Sequence, residues 1–255
     1  MKRFTTALLF LLCVGLANAK ESITVDMQKP QSQQDIQAVK EIKESKINQT
    51  IIDLSDTLFP FNKTLHIQYG NSDGPYYDPN KHTIYIPYSF YLESLNYFTK
   101  NGYEEQYGRS AKEGAIDTLL HTLLHEAGHA YIADQKIPVL GKEEDAVDNF
   151  ATVILLNYVE SGDDIAISAG DMFAFESESA DLPDYYQMSE YAGEHSFDLQ
   201  RYFSTLCLVY GSNPEKHQYL LDEVENDNLE DRKDYCVFNF DLINDNWHHY
   251  LSVID

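Results

Sequence analysis

The strongest hydrophobic pattern in the chain is an apolar stripe from Ser110 to about Asp134. Apolar residues recur there every three or four positions, at Ala115, Ile116, Leu119, Leu120, Leu123, Leu124, Ala127 and Tyr131. This spacing matches the period of an α-helix and predicts a long amphipathic helix with one face in the core.

Three further segments have a helical pattern. A second helix is predicted over residues 143–160, with an acidic first turn that suits the positive end of the helix dipole. Another is predicted over residues 196–210, and a shorter one over residues 47–58, where a proline follows closely. Residues 160–194 and the C-terminal part are only weakly periodic, so their structure stays open.

Two short segments alternate between apolar and polar residues. They cover residues 64–69 and 82–88, and a turn-rich loop rich in Gly, Asp, Asn and Pro lies between them. The alternation predicts a small antiparallel sheet. The expected fold is therefore α+β: one helix-rich domain with this sheet packed beside the long helix.

The N-terminus has the pattern of a cleaved export signal. Lys2 and Arg3 precede the apolar run from Ala7 to Leu16, and the small residues Ala17 and Ala19 follow. We expect a signal peptide over 1–19, a polar tail and helix over 20–59, and the main domain over 60–255. Export would place the protein in a periplasm or outside the cell; an uncleaved N-terminal anchor is the alternative.

The charge balance limits the classes of partner. The full chain has 18 basic and 42 acidic residues, a net charge of −24, and loss of Lys2 and Arg3 with the signal would deepen it to −26. Such a surface repels nucleic acids and anionic membranes. No later segment has the length and apolarity of a membrane-spanning helix, so stable membrane insertion is not expected.

Two cysteines remain after the predicted signal peptide, Cys207 and Cys236. An even number in an exported chain favours one disulfide bond between them. Two free buried thiols are the alternative. Zinc ligation by these cysteines is less favoured, because they lie far along the chain from the histidine pair described next.

The long helix carries the residues His125-Glu126-Ala127-Gly128-His129. His125 and His129 are four residues apart, so both project from one helix face and can reach one metal ion. Glu126 lies beside that face, where a carboxylate can act as the base on the water that such a metal activates. The motif predicts a catalytic zinc site, which requires a third protein ligand.

The second helix offers that ligand. Glu144 and Asp148 are four residues apart and share a helix face. If the two helices pack antiparallel, Glu144 can reach the metal, and Asp148 can hydrogen-bond the outer nitrogen of a histidine ligand. Both acids lie among core residues, where an unpaired carboxylate is unfavourable. The alternative is that the acidic residues 143–145 are only a solvated helix start.

The motif HEAGH followed by an E-x-x-x-D helix resembles the gluzincin type of zinc peptidase. The segment HEAGHAYIADQKIPVLGKEEDAVDNFA also resembles a domain-of-unknown-function family of metallopeptidase-like proteins, as do GPYYDPNKHTIYIPYSF and EHSFDLQRYFSTLCLVYGSNP. The resemblance covers most of residues 60–250 and implies a metallopeptidase domain there. It supplies no substrate. The short interval between His129 and Glu144 differs from thermolysin-like enzymes.

Three more residues are candidates for the chemistry. His195 is a candidate for stabilising the oxyanion, with helix capping as the alternative, and Arg201 is a candidate for binding a substrate carboxylate. Tyr85 lies in the segment 82–88, which resembles the gluzincin edge strand that binds extended peptide. His121, one turn before His125, is interpreted as a packing residue or a neighbour of the ligands.

The favoured function is zinc-dependent hydrolysis of peptide bonds in a peptide or protein substrate. Two alternatives remain: an exported zinc-binding protein or interaction module without peptidase activity, and a hydrolase for another amide or an ester. Glu126 favours an enzyme, because a purely structural metal site does not need a carboxylate at that position. The sequence leaves substrate preference and oligomeric state open.

Overall fold

A computed structural model describes residues 22–179, 188–221 and 229–252. The predicted signal peptide lies outside these residues. The helices are α1 (Gln33–Ser45), α2 (Ile47–Leu58), α3 (Tyr88–Lys100), α4 (Tyr103–Tyr107), α5 (Ala111–Gln135), α6 (Glu143–Tyr158), α7 (Gly162–Ser179), α8 (Met188–Tyr191), α9 (Asp198–Ser212) and α10 (Leu229–His248). The strands are β1 (Ile23–Met27), β2 (Leu65–Tyr69), β3 (Tyr76–Asp78) and β4 (Thr83–Ile86), and a 3₁₀ turn covers Gln218–Leu221.

The α+β fold class is confirmed, but the sheet is mixed rather than purely antiparallel. Its strand order is β1-β2-β4-β3. β3 and β4 form an antiparallel pair with Tyr77 opposite Ile84, whereas β1–β2 and β2–β4 are parallel. Two parallel strands need a longer connection than the short turn of a hairpin. Helices α1 and α2 form this connection between β1 and β2.

The N-terminal region is more ordered than the expected polar tail. Ile23 opens β1 and is buried, and α1 begins with a capping box between Ser32 and Asp35. Ala38 and Ile42 then face the core on the inner side of α1. Residues 22–59 therefore belong to the same hydrophobic core as the rest of the described chain.

The long helix α5 lies at the centre of the fold. It begins at a capping box between Ser110 and Glu113 and contacts α3, α6, α7 and the sheet. Because neighbours surround it, most of its residues are buried, including polar ones such as Asp117 and His121. A helix in this position holds its side chains on a rigid support.

Gly128 allows α5 and α6 to approach closely. A Cβ atom at this position would lie 3.0 Å from the Phe150 ring and 3.0 Å from a Val147 methyl group. Both neighbours belong to α6. The close approach sets the first turns of α6 opposite the histidines of α5.

Helices α9 and α10 are joined by a disulfide bond between Cys207 and Cys236. The bond predicted from the cysteine count is therefore present. None of the helices in the described ranges is both long enough and apolar enough to cross a membrane.

Candidate metal centre

His125 and His129 project from the same face of α5. Their ring centroids are 5.0 Å apart and their planes lie 77° from each other. One helical turn separates the two residues, so their inner Nε2 atoms can point to one position in front of the helix.

Glu144, in the first turn of α6, completes the group. Its Oε2 atom lies 3.1 Å from His125 Nε2 and 3.3 Å from His129 Nε2. The three residues each offer a ligand atom, and these atoms all lie within 4.8 Å of one another. Two imidazoles and one carboxylate form a donor set typical of zinc.

The outer nitrogens of both histidines face carboxylates. His125 Nδ1 lies 2.7 Å from Asp148 Oδ1, and His129 Nδ1 lies 2.8 Å from Glu143 Oε1. A carboxylate in this position accepts the Nδ1 proton and fixes the tautomer, so that the Nε2 lone pair of a neutral ring faces inward. Two inward lone pairs beside a carboxylate oxygen suit a bound cation, so the residues fit a metal ion.

The electrostatics of the group also favour positive charge. Burial lowers the pKa of His125, but its hydrogen bonds to Asp148 and Glu144 outweigh this effect and raise the pKa to about 9. The pKa of His129 is also raised, because Glu144 and Glu143 together outweigh its burial. For Glu144, burial acts to raise the pKa, but contacts with three histidines hold it far below its usual value.

Glu126 lies beside the ligand group and is buried. Burial raises the pKa of its carboxyl group, against the lowering influence of His125 and His129. The main-chain amide of Tyr77 in β3 donates a hydrogen bond to this carboxylate. Glu126 is therefore held at the wall of the cleft, with an elevated proton affinity that suits a general base.

The structure brings His195 to the same group. Its Nε2 atom lies 2.9 Å from Glu144 Oε2, and its ring is nearly parallel to that of His125 with centroids 6.3 Å apart. The His195 side chain is 54% exposed, so it lies at the open side of the centre.

Hydrogen bonds hold the segment that carries His195 against the start of α6. Lys142 Nζ donates to the main-chain oxygens of Gly193 and His195, at 3.3 and 3.1 Å. Ser196 Oγ donates to Asp145 Oδ1 at 2.7 Å. The same turn of α6 therefore positions both Glu144 and His195.

Arg201 lies behind the ligands, where Asp148 engages it. Its Nε and Nη2 atoms donate to the two Asp148 oxygens at 2.8 and 2.9 Å, and its guanidinium stacks on Phe173 at 3.9 Å. For Asp148, burial acts to raise the pKa, but Arg201 and His125 hold it far below its usual value. Through Asp148, Arg201 therefore orients His125, whereas the sequence suggested Arg201 as a candidate for binding a substrate carboxylate.

The expectation that segment 82–88 is an edge strand is wrong. β4 lies between β2 and β3, so β3 is the sheet edge on the side of the metal group. Tyr85 is partly buried and its ring packs on Tyr76 at 5.0 Å. Tyr76 and Tyr77 line the cleft, whereas Tyr85 is not among its lining residues. A three-residue strand is too short for its alternation to be recognised in the sequence.

The sequence interpretation also missed Glu143 and Lys142 as parts of the centre. The side chain of Glu143 is 48% exposed and that of Glu144 only 16%, so the two glutamates at the acidic helix start differ in their exposure to solvent. One signal was available for Glu143: the second histidine of the motif also needs a partner for its outer nitrogen. Lys142 acts through main-chain oxygens, which no side-chain pattern predicts.

The metal group opens into a cleft of about 670 Å³. Its walls are formed by residues from 75–79, from α5, from 142–144 and from 194–195. Cavities of this size accept small molecules or several residues of an extended peptide.

A family model described as "Putative metallopeptidase" (DUF4344) matches residues 27–251. The searches of curated proteins and of solved structures returned no match to this chain. The family match spans most of the chain, including α5, α6 and the His195 segment, and it implies a metal. By this match the chain belongs to the DUF4344 family, whose members are described as putative metallopeptidases.

Proposed function

We propose that the protein is a zinc-dependent hydrolase that cleaves peptide bonds. The observation that carries the proposal is the convergence of His125 Nε2, His129 Nε2 and Glu144 Oε2 within 4.8 Å of one another, beside the buried Glu126. The family match supports the reaction class at the level of a metallopeptidase.

His125, His129 and Glu144 would hold the zinc ion. When bound, zinc supplies Lewis acidity, which acidifies water and polarises a carbonyl group. Asp148 and Glu143 hold the outer nitrogens of the histidines and so keep both rings oriented for binding.

Glu126 acts as the general base and then as the general acid. Its carboxylate takes a proton from the attacking water and transfers it to the amine nitrogen as the C–N bond breaks. The Tyr77 amide and burial hold the carboxylate in place during both transfers. His195 stabilises the negative charge that develops on the former carbonyl oxygen.

The substrate would approach along strand β3. This strand is the edge of the sheet and borders the cleft, so its main chain is suited to pairing with an extended peptide. The disulfide between Cys207 and Cys236 suits an oxidising compartment, and we place the protein in a periplasm or outside the cell.

The test compares wild type with Glu126→Gln on a proteome-derived peptide library, with zinc content measured for both proteins. The amide keeps the size of the side chain but cannot take the proton, so hydrolysis should fall on the order of 100-fold or more with zinc unchanged. Glu104→Gln, an exposed change on α4, is the control.

Two outcomes would contradict the proposal. Loss of zinc from Glu126→Gln would make Glu126 a ligand rather than a base. Failure of the zinc-loaded wild type to cleave any peptide would favour a zinc-binding protein without peptidase activity.

A further inference from the structure

A second, smaller cavity of about 160 Å³ lies next to the metal centre. It shares Pro75, His125, Glu126 and His195 with the large cleft, so the two spaces meet at the reacting position. If the proposed function holds, a substrate carbonyl at the metal centre places a neighbouring side chain at the entrance of this cavity.

The walls of the small cavity come mainly from two helix faces. Residues from α5 and α7 line it at spacings of three and four, namely Thr118, His121, Thr122, Ala169, Met172, Phe173 and Glu176, and α3 adds Phe90. At roughly 30 Å³ for each water-sized group, the volume holds about five such groups. This is the number of non-hydrogen atoms in a glutamine side chain.

Two residues that border this cavity each have a polar atom without a hydrogen-bond partner among the described residues. These atoms are Thr118 Oγ1 and His121 Nε2, and both are shielded from solvent. Their residues are only 5% and 2% exposed. The adjacent Thr122 hydroxyl, in contrast, donates to the Thr118 carbonyl at 2.9 Å. Buried polar atoms without partners are unfavourable, so a ligand group that bonds to both would be stabilised here.

The surrounding charges favour an uncharged ligand. Burial lowers the pKa of His121 to about 4, so the ring is neutral at physiological pH. Arg201 borders the cavity and would repel a cationic side chain, while its own charge is paired with Asp148. Glu176 also borders the cavity, and although burial raises its pKa to about 7, its ionised form would repel a second carboxylate.

We infer that this cavity is a specificity subsite for an uncharged side chain that ends in a hydrogen-bonding group, and that a carboxamide fits it best. Thr118 and His121 are three residues apart on α5 and therefore neighbours on one face. The Thr118 hydroxyl donates to the amide oxygen, and His121 Nε2 accepts from the amide nitrogen. Phe90, Met172 and Phe173 contact the methylene groups.

The test uses blocked heptapeptides of alanine with one central residue, either Gln, Met, Glu or Lys. Hydrolysis is measured with wild type, and binding is measured with zinc-loaded Glu126→Gln. We expect the Gln peptide to exceed the nearly isosteric Met peptide by about ten-fold in both measurements. Cleavage should occur next to the Gln residue.

Two variants of the subsite and one control variant sharpen the result. Thr118→Val keeps the shape but removes the hydroxyl, so the Gln-to-Met ratio should fall about five- to ten-fold. Thr118→Ser keeps the hydroxyl and should retain the preference. Thr99→Val, on the exposed side of α3, is the matched control because its hydroxyl bonds only locally, to Leu95 O at 2.6 Å.

The outcomes separate this inference from the proposed function. Cleavage without preference for Gln, or a preference that survives in Thr118→Val, overturns the subsite and leaves the peptidase proposal standing. Selective binding of the Gln peptide without hydrolysis by wild type supports the subsite and contradicts the peptidase proposal. If neither Gln-selective binding nor cleavage occurs, both the subsite and the peptidase proposal are wrong.

Discussion

At the scale of single residues, the metal centre depends on the partners of the outer histidine nitrogens. Carboxylates hold the outer nitrogens of both histidines, and the same carboxylates sit in the first turns of α6. The histidine rings are therefore fixed by α6, although α5 carries them. Removing an outer partner should affect metal affinity without removing a ligand.

His195 and Arg201 should respond differently to truncation. We expect His195→Ala to keep its zinc and its KM while kcat falls on the order of 100-fold, because the lost contact forms with the developing charge. Arg201→Ala should instead lower the free energy of unfolding by roughly 3 kcal/mol, since it takes the charged partner from the buried Asp148 carboxylate and leaves it only the contact with His125. Steady-state kinetics, zinc content and denaturant unfolding measure these effects. Wild-type turnover by His195→Ala would remove the oxyanion role.

Glu176 should make stability depend on pH. Burial raises its pKa from 4.5 to about 7 in the folded protein, so the folded state holds a proton that the unfolded state releases between these values. Stability is therefore lost as the pH rises from about 4.5 to about 7. Glu176→Gln should remove this loss, with a gain over wild type on the order of 2 kcal/mol at pH 8 and little at pH 4.

Denaturant unfolding at several pH values measures the effect. Glu178→Gln changes an exposed residue on the same helix and is the control. Parallel stability curves for wild type and Glu176→Gln would contradict the assignment.

At the scale of elements, the sequence was informative where one helix face is apolar. The stripes that predict α5 and α6 also place Glu144 and Asp148 opposite the histidines. The hypothesis that these two acids join the centre rested on the unfavourable burial of unpaired carboxylates, and the structure brings both of them to His125.

Other elements lacked a readable pattern for physical reasons. The buried face of α7 includes polar residues such as Ser168 and Asp171, which interrupt the apolar stripe. In α10, the half-buried side carries polar residues such as Arg232 and Asn244. They interrupt the apolar stripe around the buried Cys236 and Trp247. β1 joins the sheet through a parallel crossover, and that pairing depends on contacts far apart in sequence.

The packing of α9 against α10 gives a prediction about Gly211. A Cβ atom at this position would lie 2.3 Å from the main-chain oxygen of Cys236, so Gly211→Ala should destabilise the protein despite the higher helix propensity of alanine. Gly170→Ala in α7 is the matched control, because its nearest neighbours would lie 3.6 Å away or more. Gly170→Ala should be neutral or stabilising by up to about 1 kcal/mol.

Thermal and denaturant unfolding compare the two alanine variants. We expect Gly211→Ala to lose on the order of 1–3 kcal/mol, as overpacked sites do. Equal stability of the two variants would show that α9 and α10 are not held at this distance.

At the scale of the whole molecule, the disulfide closes a loop between Cys207 and Cys236, which are separated by 29 positions in the sequence. In the chain-entropy view, a loop of this length contributes roughly 3 kcal/mol to stability. The double variant Cys207→Ser, Cys236→Ser should therefore unfold at lower denaturant concentration, as wild type should under reducing conditions. Peptide mapping of the exported protein without reductant should show the linked pair; two alkylated thiols would contradict it.

The most direct test of the central claim is a zinc titration of the metal-free protein, with peptide hydrolysis as the readout. Activity should be absent after chelation, rise linearly with added zinc, and reach its plateau at one equivalent per chain. His66→Ala, an exposed histidine variant, should follow the same curve, while the His125→Ala, His129→Ala double variant should stay inactive. Hydrolysis that persists after chelation, or that zinc restores to the double variant, would contradict the account.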